Sequence, residues 1–415
     1  QAVVRIQTWV KNDYDQAKTC MLNTWIMDAS GKTIQVIKSK FTINPGQLYK
    51  SDQTSKPIKN PRLWSPETPY LYKVHSEVTD GTTVTDSYDS PLGIRWFRWN
   101  YNENALYVNG KKVTVGGGRY IQEYPWLGGA LPAWLAETNL KEIAGSKKYN
   151  LIIASGFPAD RQMFALTDRN GFIAAEEAPV AGDQPYSAEV LEQQIREMIR
   201  RDRNHPSVMF WSMGRGADHS VSSRITLDED TTRILTSGSL PGASVRHTYN
   251  NLVVKQLNNF PLAGKEDVAV PVSKAAPAKI VLTGSHKKVN AGRSPVVIVN
   301  ADIVDSKGVR VAEALNTLKW DVTGPARLAG PSSFESERNR YRSAEGAVYS
   351  ALPVSNVIRS TGKPGRAKIT VAASGLASGS FEIDFAEVKP DNSVISEPVP
   401  LNEDGRKTVA RAVLV

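Results

Sequence analysis

Apolar and polar positions follow two different periods along this chain. Val4 to Val10 and Leu22 to Met27 place apolar side chains at every second residue, the pattern of strands with one buried face. Asp28-Ala29-Ser30-Gly31-Lys32 supplies turn chemistry after the second of them. Residues 1–97 therefore read as a β-sandwich. Leu106 to Val113 reads as a hairpin about an Asn109-Gly110 turn. Beyond it strand-like and helix-like segments alternate, which predicts a parallel α/β arrangement over 98–262. Val113 to Gly117 is the expected first strand and Trp134 to Ile143 the first helix. Leu151 to Ser155 is an apolar run suited to burial on both faces, and Phe172 to Glu177 a third strand. Ser187 caps a helix reaching Arg200, with Leu191, Ile195, Met198 and Ile199 on one face. Val208 to Gly214 is the fourth strand and Ser244 to Tyr249 the candidate fifth.

Residues 263–277, ending in Pro271-Val272-Ser273-Lys274-Ala275-Ala276-Pro277, have the composition of a linker. From 278 to 388 the pattern is β again. Lys279 to Leu282, Val296 to Ala301 and Ala367 to Val371 are strands separated by Asp305-Ser306-Lys307-Gly308 and Gly362-Lys363-Pro364-Gly365 turns. Residues 389–415 form a tail with no assignable pattern. A closed (β/α)₈ barrel takes eight strands and about 250 residues, whereas Tyr101 to Lys274 has room for about five strands. An open parallel edge leaves unpaired amides and carbonyls. Three explanations stand: a truncated barrel capped by neighbouring domains, a partner chain or self-association covering the edge, or an internal deletion between Tyr249 and Lys274.

Composition narrows the function classes. The 415 residues, 40% hydrophobic and 22% charged, suit two to four globular domains. No apolar run approaches the roughly 20 residues of a membrane span. Gln1 to Arg5 reads directly into a strand without leader composition. Cys20 is the only cysteine, which excludes an intrachain disulfide and fits a buried inert thiol. The net charge of +9 is scattered rather than gathered in a stripe with aromatics, so no nucleic-acid partner is expected. With five His and one Cys no metal-ligand spacing occurs. Gly116-Gly117-Gly118 lacks the Lys-Ser/Thr of a phosphate loop, and a Gly-x-Ser-x-Gly elbow is absent. Neither metal nor cofactor is expected.

Trp211-Ser212-Met213-Gly214-Arg215-Gly216, after Asn204-His205-Pro206-Ser207-Val208, resembles the acid/base strand of glycoside hydrolase family 2, the β-galactosidase and β-glucuronidase family. In that family the strand ends Trp-Ser-x-Gly-Asn-Glu, and the Glu protonates the leaving sugar oxygen. Leu63 to Val74, with Trp64-Ser65-Pro66-Glu67-Thr68-Pro69-Tyr70 at its centre, resembles the hallmark of the family's immunoglobulin-like domain. Leu92-Gly93-Ile94-Arg95-Trp96-Phe97 resembles its link into the barrel. Leu328-Ala329-Gly330 and Ser374-Gly375-Leu376 are placed as in C-terminal sandwiches of bacterial members. The resemblance implies a multidomain β and α/β fold: an immunoglobulin-like β-sandwich, a partial TIM-type barrel and a C-terminal immunoglobulin-like β-sandwich. It also implies a periplasmic or secreted bacterial protein that meets carbohydrate.

The chemistry departs from that pattern. A retaining glycosidase needs two carboxyl groups about 5 Å apart. Gly216 occupies the acid/base position and Arg215 the preceding Asn position. The family's nucleophile comes from near the seventh strand, and no segment after Tyr249 resembles it. The family's Gly-x-Asn-Arg-His matches Gly117-Gly118-Arg119-Tyr120-Ile121, and its Arg-x-Ser-His-x-Pro matches Ile153-Ala154-Ser155-Gly156-Phe157-Pro158. Sugar-binding polar groups have thus given way to other side chains, while Asp160, Asn204-His205-Pro206 and Trp211-Ser212, of structural type, are kept. Glu177 matches a family carboxylate and reads as a supporting hydrogen-bonding group. Glu176 alternates onto the opposite strand face. Asp218 or His219 could act as a relocated acid, and His205 reads as a satisfied turn residue. Arg119, Tyr120, Trp126, Glu177, Trp211, Arg215, Asp218 and His219 are the candidate ligand contacts. The favoured expectation is a non-catalytic relative acting in glycan binding or protein assembly. The rivals are an exo-β-glycosidase using relocated acids or a completing partner chain, and a purely structural subunit.

Overall fold

The computed structural model describes residues 1–100, 102–120, 122, 124–145, 150–154, 158–179, 187–213, 220–236, 272–292, 295–336, 349–350 and 352–387. The chain divides into two compact units, Gln1–Ile121 with Ser146–Arg246 in the first and Gln122–Gly145 with His247–Asn392 in the second. No helix among the described residues is long and apolar enough to cross a membrane.

The first unit opens with β1 (Arg5–Lys11), β2 (Lys18–Met27), β3 (Thr33–Ile43), β4 (Leu48–Thr54), β5 (Tyr72–Asp80) and β6 (Thr83–Leu92). β1 pairs antiparallel with β4, and the other four form a sheet in the order β3-β2-β5-β6. Along β2 the even positions Cys20, Leu22, Thr24 and Ile26 are buried, as period-two alternation requires. Cys20 and Leu22 join Val10, Phe41, Ile43 and Val78 in the sandwich core. Cys20 is buried there, and burial pushes its thiol above the usual range.

β7 (Phe97–Asn100), β8 (Ala105–Val108) and β9 (Lys111–Val113) form a small antiparallel sheet. Asn109 and Gly110 both have positive φ, 50° and 82°, as a two-residue hairpin turn demands. Val113 was expected to open the barrel, but it closes this hairpin opposite Leu106. The first parallel strand is therefore β10 (Gly117–Tyr120), followed by β11 (Leu151–Ala154), β12 (Ile173–Glu177), β13 (Val208–Ser212) and β14 (Ile234–Thr236). All four pairings are parallel and run in chain order. The fifth strand is Ile234–Thr236, and Ser244 to Tyr249 lies outside the described residues.

Four helices are described: α1 (Ala133–Gly145), α2 (Arg161–Asn170), α3 (Ala188–Asp202) and α4 (Ser220–Glu229). α3 begins as read, with the Ser187 hydroxyl accepting from the Val190 amide and Ile195, Met198 and Ile199 buried. α2 was not anticipated, although its signals are present. Asp160 accepts from the Gln162 amide as N-cap, and Gly171 ends the helix at φ 72°.

Every residue of β11, β12 and β13 is buried, because side chains cover both faces of this sheet. One face is filled by Leu151, Ile153, Ile173, Ala175 and Phe210 against Leu106, Val108 and Val113 of the hairpin sheet and Trp64 of the sandwich. Trp64 is fully buried, and its indole N–H donates to the Asp168 carbonyl at 2.9 Å. The Asp168 carboxylate accepts the Ser207 amide at 2.9 Å and lies 2.6 Å from His205 Nδ1. His205 is thus a partnered loop residue fixing the entry to β13. At Gly171 a Cβ would lie 2.1 Å from the Pro66 carbonyl oxygen, so this position requires glycine for space as well as for φ.

In the second unit, strands Lys279–Gly284, Val296–Val304, Val354–Ser360 and Ala326–Leu328 form a four-stranded sheet. Thr317–Thr323, Gly365–Ala372 and Gly379–Ala386 lie within a six-stranded one. Their inner faces share a core that includes Val297, Val299, Leu318, Trp320, Ile358 and Ile369. Tyr124, Leu127 and Leu135 of α1 and its approach pack on Val296, Ile298 and Val357. The architecture is the expected one: a β-sandwich, a five-stranded part of a (β/α) barrel and a C-terminal β domain.

Candidate functional site

In (β/α) barrels the functional groups stand at the C-terminal ends of the strands. Here β12, β13 and β14 end on Glu177, Ser212 and Thr236, which are in register with one another. Strand alternation puts Glu177 on the same face as Ile173 and Ala175, above the apolar layer. The Ser212 hydroxyl donates to Glu177 Oε2 at 3.4 Å. All three residues are enclosed, at 4%, 2% and 7% exposure. A carboxylate with adjacent hydroxyls can accept and donate hydrogen bonds to sugar hydroxyls. Among the described strand ends it is the only carboxylate on this face.

The neighbouring positions face the other way. Tyr120, Ala154, Glu176 and Trp211 share one register row, and their side is covered by helices. Glu176 is fully buried, with Arg201 Nη2 of α3 at 3.1 Å from its Oε1. Burial, reinforced by the nearby Asp202 charge, pushes the Glu176 carboxyl well above the usual carboxylate range. Glu176 and Glu177 are therefore separated by the sheet, as the alternation implied. Trp211 is also fully buried and donates its indole N–H to Asp230 Oδ2 at 2.9 Å. Arg233 helps hold Asp230 below the usual carboxylate range against its burial.

The other candidate contacts are distributed differently. Tyr120 is 4% exposed on the helix-covered side, away from Glu177. The Arg119 backbone is in register with Ile153. Trp126 belongs to the second unit, where it is 41% exposed at φ 65° and meets Phe334 edge-on at 6.4 Å between centroids. Arg215, Gly216, Asp218 and His219 lie outside the described residues. No group of three His, Cys, Asp or Glu side chains among the described residues converges as a metal site. Sequence reading missed Thr236, because three residues between α4 and the following segment carry too short an alternation to register as a strand. It also missed the Glu176–Arg201–Asp202 cluster, which joins residues from two elements.

Three family models tile the chain. Residues 1–95 match the model described as "Glycosyl hydrolases family 2", 100–256 its "TIM barrel domain" and 280–382 "Glycoside hydrolase family 2 C-terminal domain 5". A β-glucuronidase of Formosa agariphila is 30% identical over 234 residues, covering 55% of this chain and 23% of that protein. A β-galactosidase of Bacteroides ovatus is 29% identical over 274 residues, covering 63% of this chain and 32% of its own length. The chain therefore spans about a quarter to a third of the curated relatives it matches. A solved β-glucuronidase of glycoside hydrolase family 2 superposes with a TM-score of 0.73 at 16% identity, covering 94% of this chain and 61% of that one. A family 2 member from Bacteroides cellulosilyticus gives 0.71 at 16% identity, covering 94% and 77%. These two likenesses establish the fold. With the three domain matches in family order and the strand-end register of Glu177 and Ser212, the chain belongs to glycoside hydrolase family 2.

Proposed function

We propose that this chain holds carbohydrate at the mouth of its partial barrel without cleaving it. The observation that carries this reading is Gly216, where the family's Trp-Ser-x-Gly-Asn-Glu strand has its proton-donating Glu. Glycine has no group that transfers a proton. Chain length supports the same conclusion for the nucleophile. Between Thr236 and Val272 lie 35 residues, 237–271. A βα unit takes about 30 residues, so this stretch has room for about one unit where three more are needed to close eight strands. Glu177, with Ser212 and Thr236 in register beside it, is then the strand-end carboxylate that this reading assigns to a sugar hydroxyl.

The relatives' names favour a second reading, retaining hydrolysis of a β-glucuronide or β-galactoside in a barrel completed by another chain. Covering the edges of β10 and β14 through a partner or through self-association belongs to that reading as well. Calorimetric titration with β-linked galacto- and glucurono-oligosaccharides tests the first. Saturable binding is expected, weakened roughly tenfold in Glu177→Gln by loss of a charge-assisted hydrogen bond. Absence of binding by the intact chain, or binding indifferent to Glu177→Gln, overturns it.

A further inference from the structure

A cleft of about 590 Å³ opens within the first unit, between β1 with the β5–β6 edge of the sandwich and the end of α3 with the loop into β13. Arg203 and Pro206 precede β13 and Arg233 precedes β14, so the cleft lies where these strands begin, away from Glu177 and Ser212. Seven arginines line it against one carboxylate, Glu197. Such an imbalance in a half-enclosed space is unfavourable unless counter-charge is supplied.

Carboxylates behind the wall supply part of it. Arg5 pairs with Asp52, Arg200 with Glu229, Arg201 with Asp202 and Arg233 with Asp230. Arg95 has no ion-pair partner among the described residues; Arg203 Nη1 donates to the Glu229 backbone carbonyl at 3.4 Å but comes no closer than 3.9 Å to the Glu229 carboxylate, which already holds Arg196 and Arg200. Arg95 and Arg233 both donate to the Val208 carbonyl oxygen, at 3.1 and 3.3 Å, which sets two guanidinium groups side by side. Arg95 Nε is used on the Pro206 carbonyl at 2.5 Å, and its Nη1 meets no acceptor among the described residues. Burial, followed by the neighbouring Arg233 charge, draws the Arg95 pKa down to about 9. Arg203 lies over the Trp9 ring, its guanidinium carbon 5.5 Å from the centroid, at the β1 side of the same space.

We propose that this cleft is an anion site for a tetrahedral oxyanion, phosphate or sulfate, free or esterified, with Arg95 Nη1 and the Arg203 guanidinium as its principal donors. Planar guanidinium forks suit such oxygens, and a multiply charged group answers a surplus of more than one arginine. The cleft has the volume of a small-molecule site, so it can admit an esterified group together with part of its carrier. The site is independent of the carbohydrate reading of the strand ends.

Inorganic phosphate and glucose 6-phosphate, each titrated into the full chain at matched ionic strength, test it by calorimetry and thermal shift. Millimolar or tighter binding is expected, with a rise in Tm above that of sodium chloride at equal ionic strength. Arg203→Gln should weaken it roughly tenfold, and Arg203→Lys, keeping the charge without the fork, should weaken it less. Tighter binding of the ester than of free phosphate identifies a carrier-borne group as the ligand; equal binding identifies the free anion. No phosphate-specific rise in Tm, or affinity unchanged in Arg203→Gln, overturns the proposal.

Discussion

Ser212 and Glu177 meet across β13 and β12, hydroxyl to carboxylate at 3.4 Å, in a register that places both at the strand ends where family 2 enzymes work. Both are nearly inaccessible, so the hydroxyl satisfies part of the hydrogen-bonding need of a buried carboxyl group. Ser212→Ala is expected to cost about 1–2 kcal/mol of stability, the penalty for removing one partner from a buried polar group. Urea unfolding followed by far-ultraviolet circular dichroism measures it, and an unchanged midpoint would count against this pairing.

The contact between Trp64 and Asp168 fixes the sandwich to the parallel sheet within the first unit. Trp64→Phe leaves the Asp168 carbonyl without its donor and leaves a void in a fully buried site. A loss of about 2–4 kcal/mol is expected from those two effects together. The same unfolding experiment should show the loss, and a change below about 0.5 kcal/mol would mean that the seam is held elsewhere.

Gly171 carries two demands, a φ of 72° and a backbone neighbour where a Cβ would stand. The left-handed conformation alone costs a non-glycine residue about 1–2 kcal/mol, and displacing the Pro66 carbonyl adds to it. Gly171→Ala should therefore lower stability by at least about 2 kcal/mol. A neutral variant in a thermal melt would contradict the close approach.

Glu176 supplies a pH signature. Its folded-state pKa is raised well above the ordinary 4.5, with burial as the first cause. The folded state thus retains a proton that the unfolded chain gives up at lower pH. The contribution of this group to stability is full below the unfolded value and declines as pH rises through the folded one. Glu176→Gln keeps the shape without the ionisation, so the variant should gain on the parent as pH is raised from 4.5 to 8. A difference between the two that does not change with pH refutes the assignment.

Sequence made the layered plan legible wherever periodicity was long or chemistry was local. The alternation of β2, the Asn109-Gly110 turn and the Ser187 cap each led to the element that forms. What escaped was decided by pairing. Val113 has strand character, but its partner Leu106 assigns it to the hairpin. Ile234 to Thr236 is too short to announce itself and exists because β13 offers it an edge. At the site, Glu177 was visible as a residue but its partners were not. Trp211, an obvious candidate from its place in the motif, is turned by strand alternation toward Asp230. Motif membership identified the strand without giving the direction of the side chain.

The central proposal is that this chain, with glycine at position 216 where the family strand has its Glu and only residues 237–271 between Thr236 and Val272, does not cleave the carbohydrate it holds. Hydrolysis of chromogenic β-galactoside and β-glucuronide by the unmodified chain, assayed beside Gly216→Glu, tests it most directly. No turnover above background is expected from either protein, because the variant restores one carboxyl of the two that retaining chemistry requires. Steady turnover by the unmodified chain, abolished in Glu177→Gln, would contradict it.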